Sequence, residues 1–519
     1  MYISNETRTR TAQRPNIVKL TQPLDLERHP FEDYLSSPLT RKFLLWATRL
    51  SNGRTRLERI FTSYRNPEAP WSDKIKFFPL HKVIDFFVAK TKVSPERAVE
   101  KVFHHMPTVR TLVNTARSVG TFGLVAPQRF IAPLLVVWNI TNRCNLSCKH
   151  CYQDAVRRRG PEELNRKEKI DVVDQLADNL VPMIALAGGE PLIDPDLWSV
   201  LERAQQRGIY VSLATNGTML TKQICERLKK LGVKYMEISL DSLDAGVHDD
   251  FRQMPGAWEL SVQGIKNVQA YGMRAGIATC FTRDTVDQAP RMIGFAKSLK
   301  VSTFVHFNFI PVGRGADMAH EDLTPEQRER LLHLLYETLE EGGLGVMSTA
   351  PQFGRACMAF GDLDGMMAMG HGGSGKGRQA RVVSKYIGGC GAHRCYCSIQ
   401  PNGKVNPCVY MPTRTIGDLR KTPFAEIWNQ PLEAILSDRE DRGDHCGVCD
   451  YRSFCGGCRA RAESYTGDVQ AGDPGCIYNS HMWNEIERRE KEHLSVLNEG
   501  TALKIGVGGH TESSSSSPQ

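Results

Sequence analysis

Alternating strand-like and helix-like segments through the middle of the chain predict an α/β fold. The expected form is a partial (β/α)6 barrel, with a mainly helical region before it and a cysteine-rich domain after it. Three observations carry this. Six short apolar runs recur between residues 134 and 313, separated by segments of helical period. Stretches of residues 1–130 place apolar side chains at three- and four-residue intervals. Nine of the fifteen cysteines crowd between Cys390 and Cys476.

Residues 1–130 are expected as a helical accessory region. RKFLLWATRLSNGRTRLERIF and HKVIDFFVAKTKVSPERAVEKVFHHM carry its period, and Ser94-Pro95-Glu96 marks a helix start. The barrel is expected over 131–345. Its strands are LLVVWNIT (134–141), MIALAGG (183–189), YVSLATNG (210–217), YMEISLD (235–241), AGIATCFT (275–282) and TFVHFNFIPVG (303–313). Such near-continuous apolar strands suit a parallel sheet covered by helices, with functional residues at the C-terminal strand ends. Residues 346–389, which include the Gly-rich GDLDGMMAMGHGGSGKGRQA, are expected as a mobile connecting loop. The cysteine-rich domain spans 390–480. A charged helix and a disordered tail ending in GVGGHTESSSSSPQ complete the chain over 481–519.

The chain is 41% hydrophobic and 24% charged, ordinary for a globular protein, with no apolar run of membrane-spanning length. Its N-terminus lacks the apolar stretch of a secretory signal, so a reducing, cytoplasmic setting is expected. There, fifteen cysteines point to metal rather than to disulfides. The net charge of +8 is uneven: residues 1–130 hold 22 Lys/Arg against 11 Asp/Glu. That excess suits a solvated face or peripheral contact with an anionic membrane surface. No nucleic-acid-binding motif accompanies it, so nucleic acid is not an expected partner.

WNITNRCNLSCKHCYQD sets Cys144, Cys148 and Cys151 in a CxxxCxxC spacing just after the first barrel strand. Three thiolates can hold three irons of a [4Fe–4S] cube, where ordinary electron-transfer clusters take four cysteines. A zinc site is the alternative. Gly188-Gly189-Glu190-Pro191 ends the second strand, ATNGT the third, and Ser239 and Asp241 lie at the fourth. The ordered set resembles the radical S-adenosylmethionine (SAM) superfamily, and the barrel is then a partial (β/α)6 radical SAM barrel.

That resemblance implies that S-adenosylmethionine chelates the fourth iron. His150 would lie near the adenine, or serve as a polar loop residue. Gly188, Gly189 and Glu190 would meet the methionine amino group. Asn216, Ser239 and Asp241 would line the cofactor, or act as capping and turn residues. Arg314, in FNFIPVGRG, would reach the cofactor carboxylate or the surface.

Later cysteines run Cys390-x12-Gly403-x4-Cys408, then Cys446-x2-Cys449-x5-Cys455-x2-Cys458-x17-Cys476. Two CxxC pairs five residues apart are too close for a usual zinc ribbon. The pattern resembles the SPASM extension, which carries two auxiliary [4Fe–4S] clusters, although its usual x3 before the penultimate cysteine is x2 here. The resemblance implies one cluster on Cys446, Cys449, Cys455 and Cys476. The other would lie on Cys390, Cys408 and Cys458, with Cys395 or Cys397 as fourth ligand, or with neither and an open iron that could bind substrate. Cys225 and Cys280 read as packed small apolar residues, and Cys357 as a candidate thiol beside the Gly-rich segment.

The implied activity is one-electron cleavage of S-adenosylmethionine to a 5′-deoxyadenosyl radical, which abstracts hydrogen from an unactivated C–H bond. A low-potential donor of ferredoxin or flavodoxin type would supply the electron. The substrate would be a peptide or a cofactor precursor such as a tetrapyrrole. Membrane-lipid modification at the membrane surface and a non-catalytic iron–sulfur scaffold are the alternatives. No residue is singled out as catalytic beyond these cofactor sites.

Overall fold

The computed structural model of the chain describes residues 30–489, apart from 52–53, 91–93, 159, 161, 363, 369–372, 431–435 and 437. The tail expected to be disordered beyond residue 490 lies outside the described residues, as do residues 1–29.

Six parallel strands match the six apolar runs. They are β1 (Leu135–Thr141), β2 (Met183–Gly188), β3 (Tyr210–Thr215), β4 (Tyr235–Ser239), β5 (Arg274–Cys280) and β6 (Thr303–Phe307). Four more extend the sheet: β7 (Gly345–Ser348), β8 (Tyr396–Ile399), β9 (Lys404–Asn406) and β10 (Gly417–Asp418). The order is β10-β9-β8-β1-β2-β3-β4-β5-β6-β7, parallel from β8 through β7 and antiparallel at β8-β9-β10. The cysteine-rich region thus adds strands to the barrel sheet instead of forming a separate bead.

Strand alternation sorts the side chains. On β4, Met236 and Ile238 join the main apolar core, while Tyr235, Glu237 and Ser239 are half-buried on the other face. The crossover helices are capped by sequence. Asn165 accepts the Glu168 N–H and the Glu168 carboxylate accepts the Asn165 N–H, a capping box that starts helix Arg166–Asp178. Thr324 and Gln327 do the same for helix Pro325–Glu341, with Pro at its first position.

Residues 346–389 are not the expected loop. They hold helix Gln352–Phe360, a hairpin of Met366–Ala368 with Ser374–Lys376, and helix Gly377–Ile387. Apolar period outweighs glycine content here: Phe353, Ala356, Cys357, Met358, Met367 and Ala368 are buried in the main core. Gly354 is needed for closeness, since a Cβ there would lie 2.5 Å from the Phe454 carbonyl.

The leading region is mainly helical, as expected, and a short helix does begin at Pro95. Helix Met106–Phe122 docks it on the barrel. Val109 and Val113 pack fully buried with Leu180, and Arg110 donates to the Arg207 carbonyl. Asn114, also fully buried, donates from its Nδ2 to the carbonyls of Ala132 (3.0 Å) and Leu180 (3.4 Å). Ala132, Leu180 and Arg207 precede β1, β2 and β3, so this grip is at the N-terminal strand ends. Asn114→Ala leaves two buried carbonyls without this donor. It should destabilise the protein by about 1–3 kcal/mol, seen as a lower thermal midpoint with unchanged far-UV circular dichroism.

Candidate functional site

The loop bearing Cys144, Cys148 and Cys151 leaves β1 where the β1–β2 register shifts, at the C-terminal end of the sheet. Two backbone bonds close its neck: Cys144 N–H to Val156 O (2.8 Å) and Val156 N–H to Asn142 O (2.9 Å). Cys144 and Cys148 pack buried with Leu146 and Ala155, and Cys151 adjoins them half-buried. The amides of Leu146 and Ala155 point at the sulfurs of Cys144 and Cys151, at 3.3 and 3.5 Å. Burial pushes the Cys144 thiol up to about 12. Metal binding is what would deprotonate such a thiol.

The GGEP turn seats this loop. Gly189 N–H donates to Thr141 O and Glu190 N–H to Arg143 O, both at 2.8 Å. A Cβ on Gly189 would fall 2.2 Å from the Arg143 carbonyl, and Gly188 holds φ +130°. Only glycine permits that approach. Glu190 is fully buried, and its carboxylate accepts from Leu192 N–H (3.1 Å), Thr215 Oγ1 (2.8 Å) and Asn216 N–H (2.9 Å). Burial pushes that carboxyl up to about 7 against these donors. Glu190 therefore acts as a strut between the ends of β2 and β3. Asn216 extends it, donating from Nδ2 to Asn145 Oδ1 in the cysteine loop at 2.9 Å.

Arg314, expected at the cofactor carboxylate or the surface, grips the loop. Its Nε donates to Cys148 O (3.0 Å), and its Nη1 to Ala155 O (2.7 Å) and the Asp154 carboxylate (3.0 Å). Neighbouring Gly313, at φ +59°, lets the segment lie against the Cys151 carbonyl. His150 stacks on Phe251 with centroids 4.1 Å apart and planes 3° from parallel. Burial pushes its imidazole down to about 3, so it is neutral, and its Nδ1 has no partner among the described residues. Ser239 ends β4 on the inner face, half-buried.

Asp241 accepts the Cys280 N–H (3.0 Å) and the Arg252 Nε–H (2.7 Å). Burial would raise its carboxyl, but the Arg252 charge and hydrogen bond pull it down to about 2. Arg252 also points Nη1 at the Cys148 sulfur, 3.9 Å away. Sequence reasoning missed Arg252, which sits at the end of helix Ala245–Arg252 with no motif around it. Beside this pair opens a cavity of about 370 Å³ lined by Lys149, Asp241, Ser242, Phe251, Cys280 and Thr282. Its size is that of a small-molecule site. Cys280, expected as packing, thus lines the cavity wall, whereas Cys225 and Cys357 are fully buried in the core.

The later cysteines form two groups. The Cys455 thiol feels Cys476, Cys446 and Cys449, and its Sγ accepts from Gly457 N–H at 3.4 Å. Cys446 Sγ accepts from Asp473 N–H (3.4 Å) and Asn479 Nδ2 (3.5 Å). In the other group, Cys408 and Cys458 both feel Cys390, and Arg439 lies among Cys390, Cys455 and Cys395. Cys397 belongs to neither. It lies on β8, fully buried in the main apolar core, and burial alone raises its thiol. Of the two candidates for fourth ligand, Cys397 lies in the core, and Cys395 lies with Cys390 and Cys455 about Arg439.

The donor set fits anionic iron–sulfur clusters. Arg355, Arg459 and Arg461 are buried around these thiols; Arg355 pairs with Glu329 and Arg461 with Asp322 and Asp473, whereas Arg459 donates to the backbone carbonyls of Val469 and Ala471 and its Nη2 has no hydrogen-bond partner among the described residues. Buried cations need nearby negative charge, and a cluster ligated by thiolates carries it. Among the described residues no three of Cys, His, Asp and Glu are grouped closely enough to hold a single metal ion.

Comparison with known proteins places these motifs. Residues 138–296 match the family model described as the radical SAM superfamily, and residues 390–450 that of an iron–sulfur cluster-binding domain, SPASM. An AdoMet-dependent heme synthase of Methanosarcina barkeri is 34% identical over 349 residues, 67% of this chain and 97% of that protein. The mycofactocin maturase MftC of Mycobacterium tuberculosis is 30% identical, over 67% of this chain and 83% of its own. Among solved structures, Streptococcus suis SuiB bound to S-adenosylmethionine superposes with a TM-score of 0.57 at 16% identity, covering 82% of this chain and 93% of that one. Its likeness is one of fold.

The Arg314 clamp makes a distinguishing prediction. Arg314→Ala should lower the iron retained on the Cys144–Cys151 loop several-fold, read by Mössbauer spectroscopy, while the later cysteines keep theirs. Arg314→Lys should restore only part of it, because an ammonium cannot copy the guanidinium fork. A cofactor-carboxylate role would instead weaken S-adenosylmethionine binding at full iron content.

Proposed function

The chain belongs to the radical S-adenosylmethionine superfamily and carries its SPASM iron–sulfur extension, and on that basis we propose how its residues divide the work. Cys144, Cys148 and Cys151 would hold the [4Fe–4S] cluster at which S-adenosylmethionine would bind. Cys446, Cys449, Cys455 and Cys476 hold one auxiliary cluster, and Cys390, Cys395, Cys408 and Cys458 the other. The observation that carries this is the first loop. Its three thiols sit at the C-terminal strand ends, and Cys148 is joined through Arg252 to the wall of an open cavity.

Together the bound cofactors supply a 5′-deoxyadenosyl radical for hydrogen abstraction from an unactivated C–H bond. The residues of the chain position and shield. Arg314 and the GGEP turn hold the loop, and Glu190 and Asn216 tie it to β3. The Arg252–Asp241 pair sets positive charge beside Cys148 and a carboxylate beside the cavity. His150, neutral and stacked on Phe251, offers a flat apolar face for the adenine. A low-potential donor of ferredoxin or flavodoxin type delivers the electron.

The substrate is a cofactor precursor of tetrapyrrole type or a peptide. Heme synthases and a mycofactocin maturase among the relatives support both. It occupies the half-buried inner face between the two cysteine regions, where Tyr152, next to Cys151, meets Tyr410, two residues past Cys408, with ring centroids 5.2 Å apart. Glu237 faces the same interior, its carboxyl pushed up to about 7 by burial. A membrane lipid is the second reading, favoured by the excess of 22 basic over 11 acidic residues in 1–130.

Anaerobically reconstituted protein given dithionite and S-adenosylmethionine should form 5′-deoxyadenosine, and Cys148→Ala should drop this to background. No product from fully loaded wild-type protein would instead mark an iron–sulfur scaffold. Cys395→Ala should lose one auxiliary cluster's iron. Cys397→Ala should keep all of it and cost about 1 kcal/mol of stability from the small core void.

A further inference from the structure

Helix Trp71–Lys90 is apolar on two opposite sides. One side buries Phe77 and Val88 in the leading region. At one hundred degrees per residue, Trp71, Ile75, Phe78, Lys82 and Phe86 form a single stripe on the other side. That stripe is open: Trp71 is 76% exposed, Ile75 72%, Phe78 57% and Phe86 56%. Fifteen residues of rise make it about 22 Å long. Cations are interleaved with the rings. The Lys74 ammonium lies 5.1 Å from the Trp71 ring centroid and the Lys82 ammonium 5.3 Å from that of Phe78, while the exposed Lys76 flanks the stripe with its ammonium 5.7 Å from the buried Phe77 ring.

The acidic residues of this helix are occupied by basic and phenolic partners. Asp73 is buried against Arg59, and Asp85 accepts from Tyr64 (2.7 Å) and Arg65 (3.0 Å) and also lies 3.7 Å from the ammonium of Lys82, which stays largely exposed. The exposed side therefore shows aromatic and aliphatic tips with ammonium groups between them. It does so within a region carrying 22 basic against 11 acidic residues.

We propose that this stripe is a membrane-contact surface, lying in the headgroup–acyl boundary of an anionic bilayer. Charge and shape select that occupant. A second copy would bring like charge against like. A convex helix ridge with protruding Trp and Phe tips suits a deformable interface, where aromatic rings and snorkelling lysines are both favoured. No described helix is long and apolar enough to cross a membrane, so the contact is superficial. The surface is separate from the reaction chemistry and stands whichever substrate is correct. The leading region grips the barrel at the N-terminal strand ends, away from the cysteine loop.

The test is co-sedimentation of the reconstituted full-length protein with vesicles of phosphatidylcholine alone or mixed with phosphatidylserine. Binding is expected to the mixed vesicles only, weakening as salt rises. Ile75→Ser/Phe78→Ser should reduce partitioning by at least about tenfold. Lys76→Ala/Lys82→Ala should reduce it by on the order of twentyfold, about fivefold per lysine near an anionic surface. Both variants should keep wild-type 5′-deoxyadenosine formation. If the apolar pair prevents folding, the lysine pair decides alone. Absence of wild-type binding, equal binding to neutral vesicles, or unchanged binding of a folded variant overturns the proposal. Self-association that the Ile75→Ser/Phe78→Ser change abolishes, without vesicle binding, overturns it in favour of a protein partner.

Discussion

Two backbone hydrogen bonds, Gly189 to Thr141 and Glu190 to Arg143, determine where the cysteine loop meets the sheet. They form only because two glycines allow main chain to pack on main chain, and any Cβ at residue 189 would strike the Arg143 carbonyl. Everything else at the strand ends is built on that contact. Glu190 carries it across to β3, Asn216 returns it to Asn145, and Arg314 closes the far side through three acceptors. A thiol set held this way owes its shape to backbone geometry rather than to side-chain packing, which suits a loop that must keep three sulfurs in fixed relation.

The cysteine-rich region joins the barrel through buried charge. Asp322 pairs with both Arg328 and Arg461, and all three are essentially inaccessible to solvent. Arg461 also donates to Asn308 Oδ1 and the Phe309 carbonyl just past β6, and Arg328 donates to the Gly475 carbonyl beside Cys476. Buried ion networks contribute little net stability over well-packed apolar residues, but breaking one partner is costly. Their effect here is positional: barrel and module are fastened in one arrangement.

Much of this was legible in the sequence, and the failures have physical causes. All six apolar runs became strands, shifted by a few residues at their ends, because β-branched runs under helices leave a strong signal. The seventh parallel strand, Gly345–Ser348, was missed because four residues carry no period. Strand Tyr396–Ile399 was hidden because Cys397 looks the same in a ligand set as in a packed strand. The GGEP and ATNGT segments lie at their strand ends as read, whereas the sixth strand stops at Phe307 and Gly313–Glu321 is a 3-10 helix; the protein contacts of Glu190 and Arg314 were not readable from the motifs. A motif reports position, whereas hydrogen-bond partners depend on what folds beside it. Arg252 could not be found, since its contact with Cys148 spans 104 residues and obeys no local spacing.

The pairing of β8 with β1 bears on how the chain must be made. Leu135 and Tyr396 are register partners 261 residues apart. During synthesis the first barrel strand therefore waits, one edge bare, until three quarters of the polypeptide has emerged. An exposed parallel edge is a template for mispairing, and closure across so long a separation is slow. Nascent chains therefore carry that open edge for most of their synthesis. Any shortened version ending before residue 396 would retain that unsealed edge permanently.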